Sequence, residues 1–143
     1  MNHSNLQVTD AVRIYPDFKI LFKQFCEVMA KRLNGNEQLP GVKFSVEEDG
    51  VCATLQALDC TFDISFRFAI VDTTPRGLLR VSIPGEDKTK VQLFQYLFDK
   101  IGNVFIAPDA SASLHSVTSD EFVKAFINRV ASEHLLRVWH FPK

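Results

Sequence analysis

The sequence predicts an α+β protein: an antiparallel β-meander packed on one face by N-terminal, middle and C-terminal helices, in the order α-β-β-β(β)-α-β-α. Two observations predict it. Across residues 42–84 the apolar residues alternate, and three successive strand pairings can be drawn that bring them all to one face. Before and after that region the apolar spacing changes from two to three or four, the period of a helix. A chain of 143 residues is most simply one domain, able to bury about two-thirds of its unfolded surface. It is read as one unit, 1–143, with residues 1–13 as a flexible leader.

The first helix is read from YPDFKILFKQFCEVMAKRLNGN. Pro16 suits a first helical position and Gly35 the residue just past the end. Phe18, Leu21, Phe22, Phe25, Val28, Met29 and Leu33 recur at helical spacing and make a face broader than a minimal core stripe.

Next comes the meander. A tight turn at Asp49-Gly50 pairs Val46 with Ala53 and Phe44 with Leu55. A second turn, at Leu58-Asp59, pairs Leu55 with Phe62 and Ala53 with Ile64. Treating DTTPRG as a loop pairs Phe68 with Val81 and Phe66 with Ile83. Within CTFDISFRFAIV the residues Phe62, Ile64, Phe66 and Phe68 face the core. Thr61, Asp63, Ser65 and Arg67 face water, as one side of an antiparallel sheet commonly does.

KVQLFQYLFDKIG reads as the middle helix, with Val91, Phe94, Leu97, Phe98 and Ile101 at helical spacing and Gly102 as its cap. NVFIAPDASASLHSV is assigned one or two short strands. TSDEFVKAFINRVASEHLL opens on the capping-box pattern Thr118-x-x-Glu121 and continues as the last helix. RVWHFPK either finishes that helix or adds an edge strand.

Composition narrows the functional classes. The net charge is −1 and the isoelectric point is near 6.4, which leaves no electrostatic footprint for nucleic acid or an anionic membrane. No apolar run approaches the roughly 20 residues that span a bilayer. The N-terminus lacks the basic start and apolar stretch of a signal peptide. Three cysteines without CxxC spacing point to a reducing compartment, so the expectation is a cytoplasmic protein. Thirteen Phe against two Tyr and one Trp indicate dry core or greasy contact surface, since Phe has no polar group to satisfy.

No motif names a chemistry. SIPGEDKTK has the setting of a phosphate loop, but Ser82 and Asp87 stand where its glycines belong, and Asp87 repels an anion. DASASLHS gathers Asp109, Ser111, Ser113, His115 and Ser116 in one loop, which is ordinary loop composition without the geometry of a triad. His134 and His140 are six apart and do not share a helical face. Cys52 and Cys60 fall on opposite faces of the sheet, against a disulfide, while Cys26 and Cys60 read as small core residues. The acidic tip Glu47-Glu48-Asp49 is read as solvated. The expectation is therefore no enzyme, no cofactor and no metal.

Surface remains. The first and middle helices are apolar over more of their circumference than one sheet needs, which fits either deep burial or one side on the sheet and another turned towards a second chain.

The order helix, antiparallel strands, helix, short strands, helix resembles the class I type III secretion chaperones and the YbjN-like proteins of similar fold. The stretches that carry it are LFKQFCEVMAKRL, EEDGVCATLQALDCTFDISFRF, GLLRVSIPG, VQLFQYLFDKIG and TSDEFVKAFINRV, from about Phe18 to Val130. The resemblance implies a non-enzymatic homodimer that holds an extended segment of a partner protein through apolar patches and strand edges. Carried onto this chain, it has Phe18, Leu21, Phe22 and Phe25 share the work of core and partner groove and assigns Phe94, Tyr96 and Leu97 to the dimer interface. The alternative expectation is a stoichiometric inhibitor, an immunity or anti-defence protein that plugs a folded enzyme, with the acidic tip as its charged patch. A third, an enzyme or small-ligand carrier using the Phe-rich space between sheet and helices, would need inward polar residues that the sheet does not offer.

Overall fold

A computed structural model of the chain describes residues 3–39, 41–57, 59–71, 73–85, 89–105 and 115–140, with side chains over 9–133. Among the described residues there are two helices, α1 (His3–Leu33) and α2 (Asp120–His140), and six strands. These are β1 (Lys43–Val46), β2 (Cys52–Ala57), β3 (Cys60–Val71), β4 (Thr74–Pro84), β5 (Lys90–Phe98) and β6 (Val104–Phe105). They form one antiparallel meander in chain order, with the helices packed on one face. The class is α+β. No helix among the described residues is long and apolar enough to cross a membrane.

α1 begins well before Pro16. Residues 3–13, read as a leader, are helical, and Pro16 lies inside the helix, where it removes one N–H from the ladder. The C-terminal end follows the sequence: Lys31 and Arg32 occupy the last turn, complementing the helix dipole, and Gly35 takes φ +73°, a conformation that costs glycine little.

The first two strand pairings have the expected registers, Val46 with Ala53 and Phe44 with Leu55, then Leu55 with Phe62 and Ala53 with Ile64. The third is displaced. Phe66 pairs with Leu79 and Phe68 with Gly77, four residues earlier on β4 than expected. The strands continue through Ile70–Pro75 and Val71–Thr74, so the connection is a tight turn with Thr73 at φ +64°, not a six-residue loop. A displacement of four keeps every side chain on its face, which is why the apolar pattern did not reveal it.

The middle helix is absent. Residues 90–98 are β5, which pairs with β4 along its length, with an irregularity between Val81 and Ser82. Phe94, Tyr96 and Phe98 oppose Val81, Leu79 and Gly77 and point into the core. β4 would otherwise end the sheet with a long unpaired edge, and satisfying that edge outweighs local helical spacing. Gly102 caps no helix. It takes φ +94° in the turn to β6, where Asp99 Oδ1 accepts from the N–H groups of Ile101 and Asn103.

α2 starts at Asp120, with Ser119 rather than Thr118 as its cap. The Ser119 hydroxyl accepts from Phe122 N–H at 3.1 Å and donates to Ser116 O at 2.8 Å. Asp120 and Glu121 sit in the first turn, and Asp120 reaches Arg32 of α1 at 3.1 Å. Residues 137–140 finish this helix.

The core is an aromatic network. Phe22 stacks on Phe66 with centroids 5.6 Å apart, Phe25 meets Phe126 edge-on at 5.1 Å, and Tyr96 meets Phe122 edge-on at 5.1 Å. Each fully buried Phe contributes about 1.5–3 kcal/mol of transfer free energy, with offset and edge geometries adding to it. These rings fill the space between sheet and helices.

Candidate functional site

The residues first assigned to binding are placed by this core. Phe18, Phe22 and Phe25 are fully buried, and Leu21 is partly buried against the same cluster. Phe94 and Tyr96 lie on a strand and are buried inward, with the Arg129 guanidinium over both rings at 4.4 and 5.0 Å. Leu97 is also buried, opposite Leu78 and Phe105 and outside the main core cluster. Within one chain none of these six buried side chains is open to a partner. The excess apolar circumference read from the middle helix belonged to a strand with one aromatic face.

The sheet edges are closed in different ways. On β1, Ser45 and Glu47 turn their backbone groups towards β2, so Phe44 and Val46 turn theirs outward. The Asn34 carboxamide occupies Phe44: its Nδ2 donates to Phe44 O at 2.9 Å and its Oδ1 accepts from Phe44 N–H at 2.8 Å. Asn34 thus acts as one residue of a neighbouring strand, a common way of blunting an edge. At the other end, residues 115–117 run beside β6. Val104 N–H donates to His115 O, Val117 N–H donates to Gly102 O, and Asn103 bridges Ser116.

Among the open surfaces of the described residues, two bear on binding. One lies where α1 meets β1. Ile20 is 51% exposed and Val46 49%. With Pro16 and Gly50 they line a shallow groove of about 360 Å³, flanked by Lys19 and Lys23. Val12, 71% exposed, stands two helical turns before Ile20, so Val12, Pro16 and Ile20 form one line along α1. Gly50 takes φ +72° in the β1–β2 turn, which lets the chain fold back beside the helix. The buried stripe of α1 masked this second line in the sequence; the signal was Val12-x₃-Pro16-x₃-Ile20.

The other surface is the outer face of the sheet. It forms an open concavity of about 930 Å³ lined by Asp63, Ser65, Arg67, Arg80, Ser82 and Gln92 among others, with the Glu47–Asp49 turn at its rim. Asp63 pairs with Lys90 at 3.7 Å. Asp63, Ser65 and Arg67 therefore line a concave surface rather than simply covering a flat one.

No family model matches the chain, and no curated protein or solved structure matches it. The element order that carried the secretion-chaperone resemblance included a helix over residues 91–102, where the chain forms β5 and a turn.

Other candidates are placed as follows. Ser82 lies in β4, and the segment after Pro84 leads into a strand, not a helix. Asp87, Asp109, Ser111 and Ser113 lie outside the described residues, as do the side chains of His134 and His140. His115 and Ser116 sit beside β6 in structural roles. Among the described residues no three His, Cys, Asp or Glu side chains are placed to hold a metal ion. The three thiols are free. Burial, with Glu27 adding to it, pushes Cys26 up to about 12. Burial also raises Cys52, with Asp49 adding to it, and raises Cys60 against a lowering contact from the Thr61 backbone. All three are held as neutral thiols, a poor state for a nucleophile.

Proposed function

We propose that the chain is a non-enzymatic protein-binding module that docks a partner polypeptide on the apolar surface shared by α1 and β1. The observation that carries this reading is the pair Ile20 and Val46, half-exposed on two different elements and lining one groove. Contiguous exposed apolar side chains with a polar rim are what protein interfaces present. Lys19 and Lys23 on that rim favour a partner whose apolar contacts are flanked by carboxylates. In the specific form proposed, the module is secretion-chaperone-like, cytoplasmic and homodimeric, and holds an extended segment of its partner. With Asn34 on Phe44, that segment is held mainly through side chains, and on β1, among the described residues, Val46 is left as free strand edge.

A second reading is favoured by the acidic turn Glu47–Asp49 at the rim of the outer concavity: a stoichiometric inhibitor seated on a folded, basic enzyme site. Capture from the native host separates the two. Wild-type protein and an Ile20→Glu, Val46→Glu variant with unchanged thermal melting are compared by mass spectrometry of what co-purifies. Loss of the partner from this variant supports the α1–β1 surface. Retention there, with loss in a Glu47→Lys, Glu48→Lys variant, overturns it in favour of the inhibitor.

A further inference from the structure

Among the described residues three arginines on the outer face of the sheet, Arg67, Arg76 and Arg80, are in no ion pair, and Arg76 lies over the Phe105 ring at 5.3 Å. Arg67 on β3 stands opposite Leu78, and Arg80 lies two residues further along β4. They are diagonal neighbours on one face, a spacing that long side chains bridge. Ser65, directly opposite Arg80 and two residues before Arg67, adjoins both. Among the described residues neither arginine is in an ion pair, and Asp63, diagonal to Arg80 on its other side, is engaged by Lys90. Arg80 Nε and Gln95 Oε1, on directly opposed residues, are buried without a hydrogen-bond partner.

Like charges placed side by side repel, and buried polar groups left unpaired destabilise the fold. The two adjacent positive charges and the unpaired Arg80 Nε–H donor gain from an added anion; Gln95 Oε1, an acceptor, does not. A guanidinium presents its N–H groups as a planar fork that matches the two oxygens of a carboxylate or the oxygens of a phosphate. The Ser65 hydroxyl supplies a further donor at the same place. We infer that Arg67, Arg80 and Ser65 form an oxyanion-binding site for a small molecule carrying a single carboxylate or phosphate group. The acidic turn Glu47–Asp49 and Asp63 line the same concavity. They repel a second negative charge, which disfavours polyanions and favours a ligand whose remainder is hydroxylated or cationic. This site is on the opposite face from the α1–β1 groove and stands independently of the protein-binding reading.

The test is a titration of the full chain followed through the arginine Nε–Hε NMR signals. Sodium phosphate and sodium acetate are the probes, each against sodium chloride at matched ionic strength. The expected result is a saturable shift at Arg67 and Arg80 with at least one probe, weakened at least tenfold in Arg67→Gln and in Arg80→Gln. Which probe binds more tightly tells whether the natural ligand is recognised by phosphate or by carboxylate. Shifts that follow ionic strength alone overturn the inference. So does saturable binding unchanged by Arg67→Gln, a substitution at an exposed position that leaves the core intact.

Discussion

Replacing Asn34 by alanine tests how the sheet edge is held. The substitution removes both hydrogen bonds to Phe44, at 2.8 and 2.9 Å. A neutral hydrogen bond contributes about 0.5–1.5 kcal/mol net, so two contribute about 2 kcal/mol. Asn34 is itself exposed, and water replaces part of what is lost, so the expected cost is about 1–2 kcal/mol. For a domain of this length, about 4 °C per kcal/mol gives a fall in Tm of about 4–8 °C. Asn34→Asp should be at least as damaging. It keeps an acceptor for Phe44 N–H but sets a carboxylate oxygen against Phe44 O, and it places negative charge at the end of α1. Urea denaturation gives the stability of each variant. Sedimentation gives a second readout, since Asn34→Ala frees Phe44 beside the already open Val46 and should raise concentration-dependent self-association. An Asn34→Ala protein within about 0.3 kcal/mol of wild type and no more self-associated would refute the edge-blunting role.

Other substitutions probe the rest of the account. In Gly77→Ala the new methyl would overlap the Phe98 ring across the β4–β5 pair, so overpacking should cost about 1–3 kcal/mol in urea denaturation; a Phe98→Leu background should relieve part of it. Arg129→Ala uncovers Phe94 and Tyr96 and should cost about 1 kcal/mol from the cation–π contacts, an effect that should shrink in a Phe94→Leu background. For Cys26 the folded thiol is raised to about 12 from an ordinary value of 9.0. Its stabilising contribution is present below pH 9 and is lost as pH rises through this window, because the unfolded chain releases the proton first. Stability should therefore fall by up to about 1.4 kcal/mol per pH unit from this group, and Cys26→Ala should show a shallower alkaline decline than wild type. Thiol labelling of the native protein should reach Cys52 and Cys60 before the buried Cys26.

Much of the fold was legible in the sequence because burial leaves a period. The β1–β2–β3 registers follow from alternating residues and two short turns, and the core stripe of α1 from Phe18 to Leu33 follows from helical spacing. The segment 90–98 was misread because Val91, Phe94, Leu97 and Phe98 satisfy a helical period by chance. Phe94, Tyr96 and Phe98 satisfy a strand period equally, and the choice depends on β4 needing a neighbour. Thr74-Pro75-Arg76-Gly77 looked like a loop because proline and glycine usually interrupt strands, whereas Gly77 leaves room for Phe98. The binding surface was hardest to read. A Phe-rich helix shows where its core side lies, but Ile20 and Val46 become neighbours only when the β1–β2 turn folds beside α1.

The α1–β1 surface is tested most directly by placing a photo-crosslinking amino acid at Ile20, at Val46 and, as a control, at Thr54 on the outer face, in the native host. One shared adduct is expected from positions 20 and 46, of the same partner, and none from position 54. Adducts formed only from position 54, or none from 20 and 46 while the partner still co-purifies, would contradict docking on that surface.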